Sequence, residues 1–224
     1  MSGGGGAAAS ALSSPWRSLL HRALDANAHL KHSTLFQLAT VGRGGSPANR
    51  TVVFRGVHEQ CDKIQINTDA RNNKIGEIRN CPFGEICWYF TDTWEQFRIS
   101  GSIDVIDSSN PEPAKLQVRA EAWFGSSVKS RLQYLGPCPG VPIPDDDLVK
   151  DAHLDPSAGP VDAFCLLVLD PEKEKFKFIF EIPGYALSEF QPSVSLVDLE
   201  LQGKNQKIDL SDKLVNFYPG TSES

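Results

Sequence analysis

Arg50-Thr51-Val52-Val53-Phe54-Arg55 is a run of β-branched and aromatic residues closed at each end by a cation. In a strand the side chains alternate, so Val52 and Phe54 face one side while Thr51, Val53 and Arg55 face the other. Arg50 opens the strand near a turn, where it can reach a phosphate. A second strand-like run, Lys63-Ile64-Gln65-Ile66-Asn67-Thr68, ends in two residues with amide or hydroxyl donors. Asp69-Ala70-Arg71-Asn72-Asn73 then leads into a short helical pattern, Lys74-Ile75-Gly76-Glu77-Ile78. The start of that helix aims backbone N–H groups and Lys74 at one point, which suits an anion. Together Arg50, Thr68, Asn73 and Lys74 describe a compact site for a phosphorylated, planar cofactor.

Working outward, Ser14-Pro15 starts a helix with proline at its first position. Trp16, Leu19, Leu20, Ala23 and Leu24 recur on one face, which predicts an amphipathic helix ending near His29 to His32. Residues 34–41 read as a strand, and Gly42-Arg43-Gly44-Gly45-Ser46-Pro47 as the loop of a hairpin with residues 50–57. Residues 84–90 and 95–106 make a second antiparallel pair around Thr91-Asp92-Thr93-Trp94, and residues 112–134 are helical by pattern. A Pro-rich, acidic loop over 136–147 is the predicted mobile segment, followed by strands at 161–169 and 175–180 and further strand-like segments at 194–201 and 213–218. Many antiparallel strands with few helices predict a mainly β chain (β + α), a barrel that closes to remove its edges, with peripheral helices. It is expected to form one domain over residues 15–220, behind a disordered low-complexity tail at residues 1–14.

The net charge of −6 and pI near 5.4 argue against nucleic acid or a membrane surface as partner, since such binders carry a basic face. The local cations therefore read as a small anion pocket. Five cysteines, an odd number without CxxC spacing, fit unpaired thiols in a reducing, cytoplasmic compartment. No apolar run approaches membrane-spanning length. His29 and His32 lack acidic or cysteine partners at ligand spacing and read as helix-end residues rather than metal ligands.

The order of these motifs resembles the pyridoxamine 5′-phosphate oxidase family of FMN-binding split barrels, from about residue 35 to about residue 178. Arg50 to Arg55 is similar to that family's Arg-x-Val-Leu-x-Lys strand, with Arg55 in place of the lysine. Thr68 and Lys74 match its Tyr-Thr-Asn-x-x-Ser-Arg-Lys segment, while Asn67, Asn72 and Asn73 stand where the family has Tyr, Ser and Arg. Gln96-Phe97-Arg98-Ile99-Ser100-Gly101 resembles its Gln-Val-Arg-Val-x-Gly. The resemblance implies FMN as cofactor. Arg50, Thr68, Asn73 and Lys74 would lie at the phosphate, backbone groups of Val52 and Val53 would line the flavin, Gln96 would reach its polar edge, and Thr51 and Asn67 would be further cofactor-binding residues.

The resemblance further implies a phosphorylated small-molecule substrate, a homodimer with the flavin at the subunit interface, and oxidation of pyridoxine or pyridoxamine 5′-phosphate. In that reaction a hydride passes from the 4′ carbon to the flavin and dioxygen is the final acceptor. Arg55, Lys129, Ser130 and Arg131 are the candidate substrate ligands, with Trp123 where the family has a tyrosine. The chain departs from the family at its C-terminus, where the Arg-Leu-His-Asp-Arg-like motif is missing and Phe176 stands for a tryptophan. That departure leaves two other readings open, a different flavin reductase on the same barrel or a non-catalytic FMN-binding protein.

Overall fold

The alternation read in residues 50–55 is present in the computed structural model, which describes residues 15–58, 61–141, 154–178 and 199–201. Val52 and Phe54 turn inward, while Thr51 and Arg55 are exposed. The strand around them, β2 (Pro47–Val57), is longer than predicted, because Pro47, Ala48 and Asn49 pair with Val41, Thr40 and Ala39 of β1 (Leu35–Val41). Arg50 is therefore the fourth residue of its strand rather than the first.

β3 (Ile64–Asp69), β4 (Phe83–Phe90), β5 (Glu95–Ile106) and β6 (Phe164–Phe178) complete an antiparallel barrel. The strand order is β3-β2-β1-β4-β5-β6, and β6 returns to pair with β3, so the ring closes. A short β7 (Leu199–Leu201) pairs with the far half of β6 at Glu174, Lys175 and Phe176. Helices surround the barrel: α1 (Pro15–Ala26), α2 (Asn73–Asn80), α3 (Pro113–Phe124) and α4 (Val128–Leu132).

Three sequence expectations are corrected here. The strands predicted at 161–169 and 175–180 are one 15-residue strand, β6. Asp170-Pro171 looks like a break, but β5 pairs on both sides of it, and a register shift at Ser100/Gly101 absorbs the proline's missing N–H. The first helix ends at Ala26 rather than near residues 29–32. Asn27, fully buried, donates from its side chain to the Ala23 carbonyl and accepts from the Asp92 amide, pinning the chain into turns. The helical stretch predicted over 112–134 is split after Phe124, and Ser127 caps the second piece by accepting from the Ser130 amide at 3.2 Å. The rest of the loop after Val141, the strand predicted at 213–218 and most of that at 194–201 fall outside the described residues.

The barrel core is centred on Trp88, whose ring lies 5.0 Å from Phe36, 4.9 Å from Phe54 and 5.2 Å from Phe90, centroid to centroid. A second cluster, Trp123, Tyr134, Leu154 and Phe164, sits under α3 and α4. Gly101, the glycine of the Gln96–Gly101 motif, lies at the β5–β6 bulge. A Cβ added there would stand 2.0 Å from the Asp170 carbonyl oxygen and 3.1 Å from the Pro171 Cα, both backbone atoms that cannot swing away. Gly101→Ala is expected to destabilise the fold by about 2 to 3 kcal/mol or more, the usual cost of overpacking. A urea midpoint equal to the parent's would refute the bulge as the reason for this glycine.

Candidate cofactor site

Arg50 lies opposite Leu38, on the inner face of the barrel wall, and reaches the end of the barrel that α2 covers. Its Nη2 donates to Glu77 Oε2 at 2.6 Å. Its Nη1 donates to the Leu38 and Ala48 carbonyls, both at 3.3 Å, and to Thr40 Oγ1. Thr40 in turn donates to Glu77 Oε2 at 2.6 Å. Arg50, Thr40 and Glu77 thus form a closed ring joining β2, β1 and α2. The Thr40 hydroxyl, with Arg50 beside it, holds the Glu77 carboxyl below its ordinary value, against the opposing pull of burial.

Lys74 occupies the second position of α2 and is buried, with its Nζ donating to Thr68 Oγ1 at 3.0 Å. Burial, with the nearby Arg50 charge, pushes the Lys74 ammonium below its ordinary value. The turn before α2 is locked by Asp69, which accepts from the Arg71 amide at 2.8 Å and from Nε and Nη2 of its guanidinium at 2.9 and 2.6 Å. Burial would raise the Asp69 carboxyl, but these bonds from Arg71 outweigh it and hold it low. Arg71 also donates to the Gly136 carbonyl at 3.0 Å, tying the Gly136-Pro137-Cys138 loop to the same turn.

Arg50, Thr68 and Lys74 are therefore brought together, with Asn73 exposed beside them at the first position of the helix. Asn67 points outward from β3 and donates to Ser126 Oγ at 3.0 Å, leaving its buried Oδ1 without a hydrogen-bond partner. Val52 faces the core, while Thr51 and Val53 face outward. Gln96 is not part of this group. It lies on the outer face of β5, donating to Cys87 Sγ at 3.5 Å, three strands from Arg50 and on the opposite face of the sheet.

The four candidate substrate ligands come from two elements, Arg55 from β2 and the consecutive Lys129, Ser130 and Arg131 from α4. Arg55 is exposed on the outer face of β2, near enough to Tyr134 that its charge eases the phenol, which burial pushes up to about 12. Lys129 is exposed, and the Ser130 hydroxyl accepts from Ser127 Oγ at 3.0 Å within the α4 cap. Arg131 is 5% exposed, donates to the Pro156 carbonyl at 3.0 Å and lies over the rings of Trp123 and Phe124. Sequence reading missed Thr40 and Glu77. The available signal was the i,i+3 spacing of Lys74 and Glu77, which puts both on one helix face.

Comparison with known proteins adds to this geometry. Residues 13–107, which run from just before α1 to the end of β5, match the family described as pyridoxamine 5′-phosphate oxidase, FMN-binding domain. Pyridoxine/pyridoxamine 5′-phosphate oxidase 2 of Arabidopsis thaliana is 58% identical over 159 residues, which cover 71% of this chain and 80% of the plant protein. The chain belongs to the pyridoxamine 5′-phosphate oxidase family. A pyridoxamine 5′-phosphate oxidase-related, FMN-binding protein of Nostoc punctiforme superimposes with a TM-score of 0.70 at 39% identity, covering 73% of this chain and 84% of that one. PhzG of Burkholderia lata, at 16% identity and a TM-score of 0.59 over 86% of this chain and 95% of its own, shares the fold.

The cofactor of this family is FMN, and the residues present fit it. Arg50 stands close enough to Lys74 to disfavour the charge of its ammonium, a cost that a phosphate at the start of α2 would offset. The orphaned Asn67 Oδ1 supplies an acceptor for an N–H donor. Lys74 can pair with phosphate only while charged, and a bound dianion raises its pKa. FMN affinity is thus full below the depressed Lys74 pKa and falls as pH rises through it, before the ordinary lysine value of 10.5 is reached. FMN titrations from neutral pH upward should show this fall in the parent. In Lys74→Met, affinity should be lower throughout and this fall absent; a fall identical in both proteins would rule Lys74 out as its source.

Proposed function

We propose that this chain is an FMN-dependent oxidase converting pyridoxine or pyridoxamine 5′-phosphate to pyridoxal 5′-phosphate, with dioxygen as acceptor. The structural observation that carries the reading is Lys74, bonded to Thr68 at the first turn of α2 with Arg50 beside it, in a chain of this family. Bound FMN supplies the two-electron acceptor and its reoxidation by dioxygen. The protein's own work is binding and orientation. Arg50, Thr68, Asn73 and Lys74 hold the phosphate, and the outward residues Thr51 and Val53 of β2, the Val52 backbone and Asn67 line the ring. Arg55 offers a planar fork to the substrate phosphate where the family has an ammonium. Exposed Lys129 and half-buried Ser130 of α4 would bind the same ligand, and Arg131 would act from below by supporting Trp123.

The working unit in this proposal is a homodimer. Gln96 sits on the outer sheet face with the exposed Tyr89 opposite it and the exposed Leu35 on the neighbouring strand β1, on the side of the wall away from its own Arg50. A second copy seated on that face lets Gln96 of one chain meet a flavin held by the other. None of the described helices is long and apolar enough to cross a membrane. The five cysteines are all unpaired, which supports cytoplasmic residence.

Steady-state assays of the FMN-loaded protein with pyridoxine 5′-phosphate should give pyridoxal 5′-phosphate and hydrogen peroxide in equal amounts. Pyridoxine without its phosphate should be a far poorer substrate. The burial of Arg131 over Trp123, away from any ligand, favours the second reading, a flavin reductase with another substrate. No aldehyde product from a protein that retains FMN would select it.

A further inference from the structure

We propose that Glu77 is the positioning residue of the phosphate site, holding Arg50, directly and through Thr40, in the orientation from which it meets the FMN phosphate. The inference rests on the FMN reading above and adds a carboxylate to a site otherwise described by its cations. Glu77 Oε2 accepts from two donors at once, Thr40 Oγ1 and Arg50 Nη2, each at 2.6 Å. Thr40 is buried, and the Arg50 and Glu77 side chains are 23% and 16% exposed, so solvent does little to loosen the ring.

Arginine has five N–H donors. The described bonds engage Nη1 and one hydrogen of Nη2, and Nε carries no bond to any described residue. An edge of the guanidinium can therefore take an oxyanion without releasing Glu77. A carboxylate so close to a phosphate site repels the incoming charge, and that repulsion has to be outweighed. It is outweighed because a long, rotamer-rich arginine that must be ordered on binding costs affinity, whereas one held by three elements is ordered beforehand. Glu77 also lies on the helix face of Lys74, one turn on, and keeps the net charge of the pocket low enough for two cations to stand together.

The test is a titration of the full-length apoprotein with FMN and, separately, with riboflavin, which has the same ring and no phosphate. Glu77→Gln keeps the size and the acceptor for Thr40 but removes the charge. It should weaken FMN binding roughly three- to tenfold and leave riboflavin binding unchanged, and Glu77→Asp should recover part of the loss. Thr40→Val, close in shape, should move FMN in the same direction and serves if Glu77→Gln does not fold. Unchanged or tighter FMN binding in Glu77→Gln, or an equal loss of FMN and riboflavin, would overturn the proposal. Arg50→Ala in the same titration separates the two levels. If Arg50→Ala loses FMN selectively and Glu77→Gln does not, only the positioning role fails; if Arg50→Ala also leaves FMN unchanged, the phosphate site is misplaced.

Discussion

Arg50→Ala is expected to strip FMN from the protein. In the proposed site Arg50 would bring charge-assisted hydrogen bonds to the phosphate, each worth about 1.5 to 3 kcal/mol, and its removal should raise the FMN dissociation constant by about ten- to a hundredfold or more. The loss exceeds that of one contact. Without Arg50, Glu77 keeps only Thr40 as partner and faces the phosphate as an unpaired negative charge. Lys74 alone then stands against it. Fluorescence titration of the apoprotein with FMN checks this, and a variant that purifies as yellow as the parent would contradict the assignment of the phosphate site.

The largest effect on stability is expected from Trp88→Ala. Trp88 is fully buried and stacks among Phe36, Phe54 and Phe90, side chains from three of the barrel strands. Its Nε1 donates to the Ser33 carbonyl at 2.8 Å, so truncation leaves a cavity and also orphans a buried acceptor. Removal of a buried aromatic side chain costs about 3 to 5 kcal/mol, enough to consume much of the stability of an ordinary domain. Urea unfolding followed by circular dichroism should place the variant's midpoint far below the parent's. A loss under about 1 kcal/mol would mean that the core tolerates the cavity by collapsing around it.

The sequence made the barrel legible because its strands alternate. Residues 50–55, 84–90 and 95–106 each carry a period-two pattern that only one burial arrangement satisfies, and β5 begins and ends at the predicted residues. The errors fell where a long-range partner overrides a local signal. Asp170-Pro171 reads as a strand break, but β5 carries β6 straight through it by means of a bulge at Gly101. Asn27 ends α1 early because Asp92, 65 positions away, donates its amide to it.

At the candidate site, Arg50, Thr68 and Lys74 could be read together because a strand cation precedes a helix start at short range, a pattern suited to one anion. Thr40 could not, and for Glu77 the one signal was its i,i+3 spacing from Lys74. A glutamate on a short helix looks like a solvated surface residue until the fold sets Arg50 against it. Arg131 shows the reverse. Its charge suggested a ligand, yet it is buried over Trp123, where its role in packing cannot be inferred from spacing. Gln96 belongs to a motif that reads as part of the site, but its side chain lies on the face of the wall opposite Arg50, where it bonds Cys87.

The most direct test of the central claim is to mix the FMN-loaded protein with pyridoxine 5′-phosphate in the absence of oxygen and follow the visible flavin band. The account predicts bleaching, then recovery of the band and release of pyridoxal 5′-phosphate when oxygen is admitted. A flavin that stays oxidised throughout, in a protein that binds FMN through Arg50 and Lys74, would contradict it.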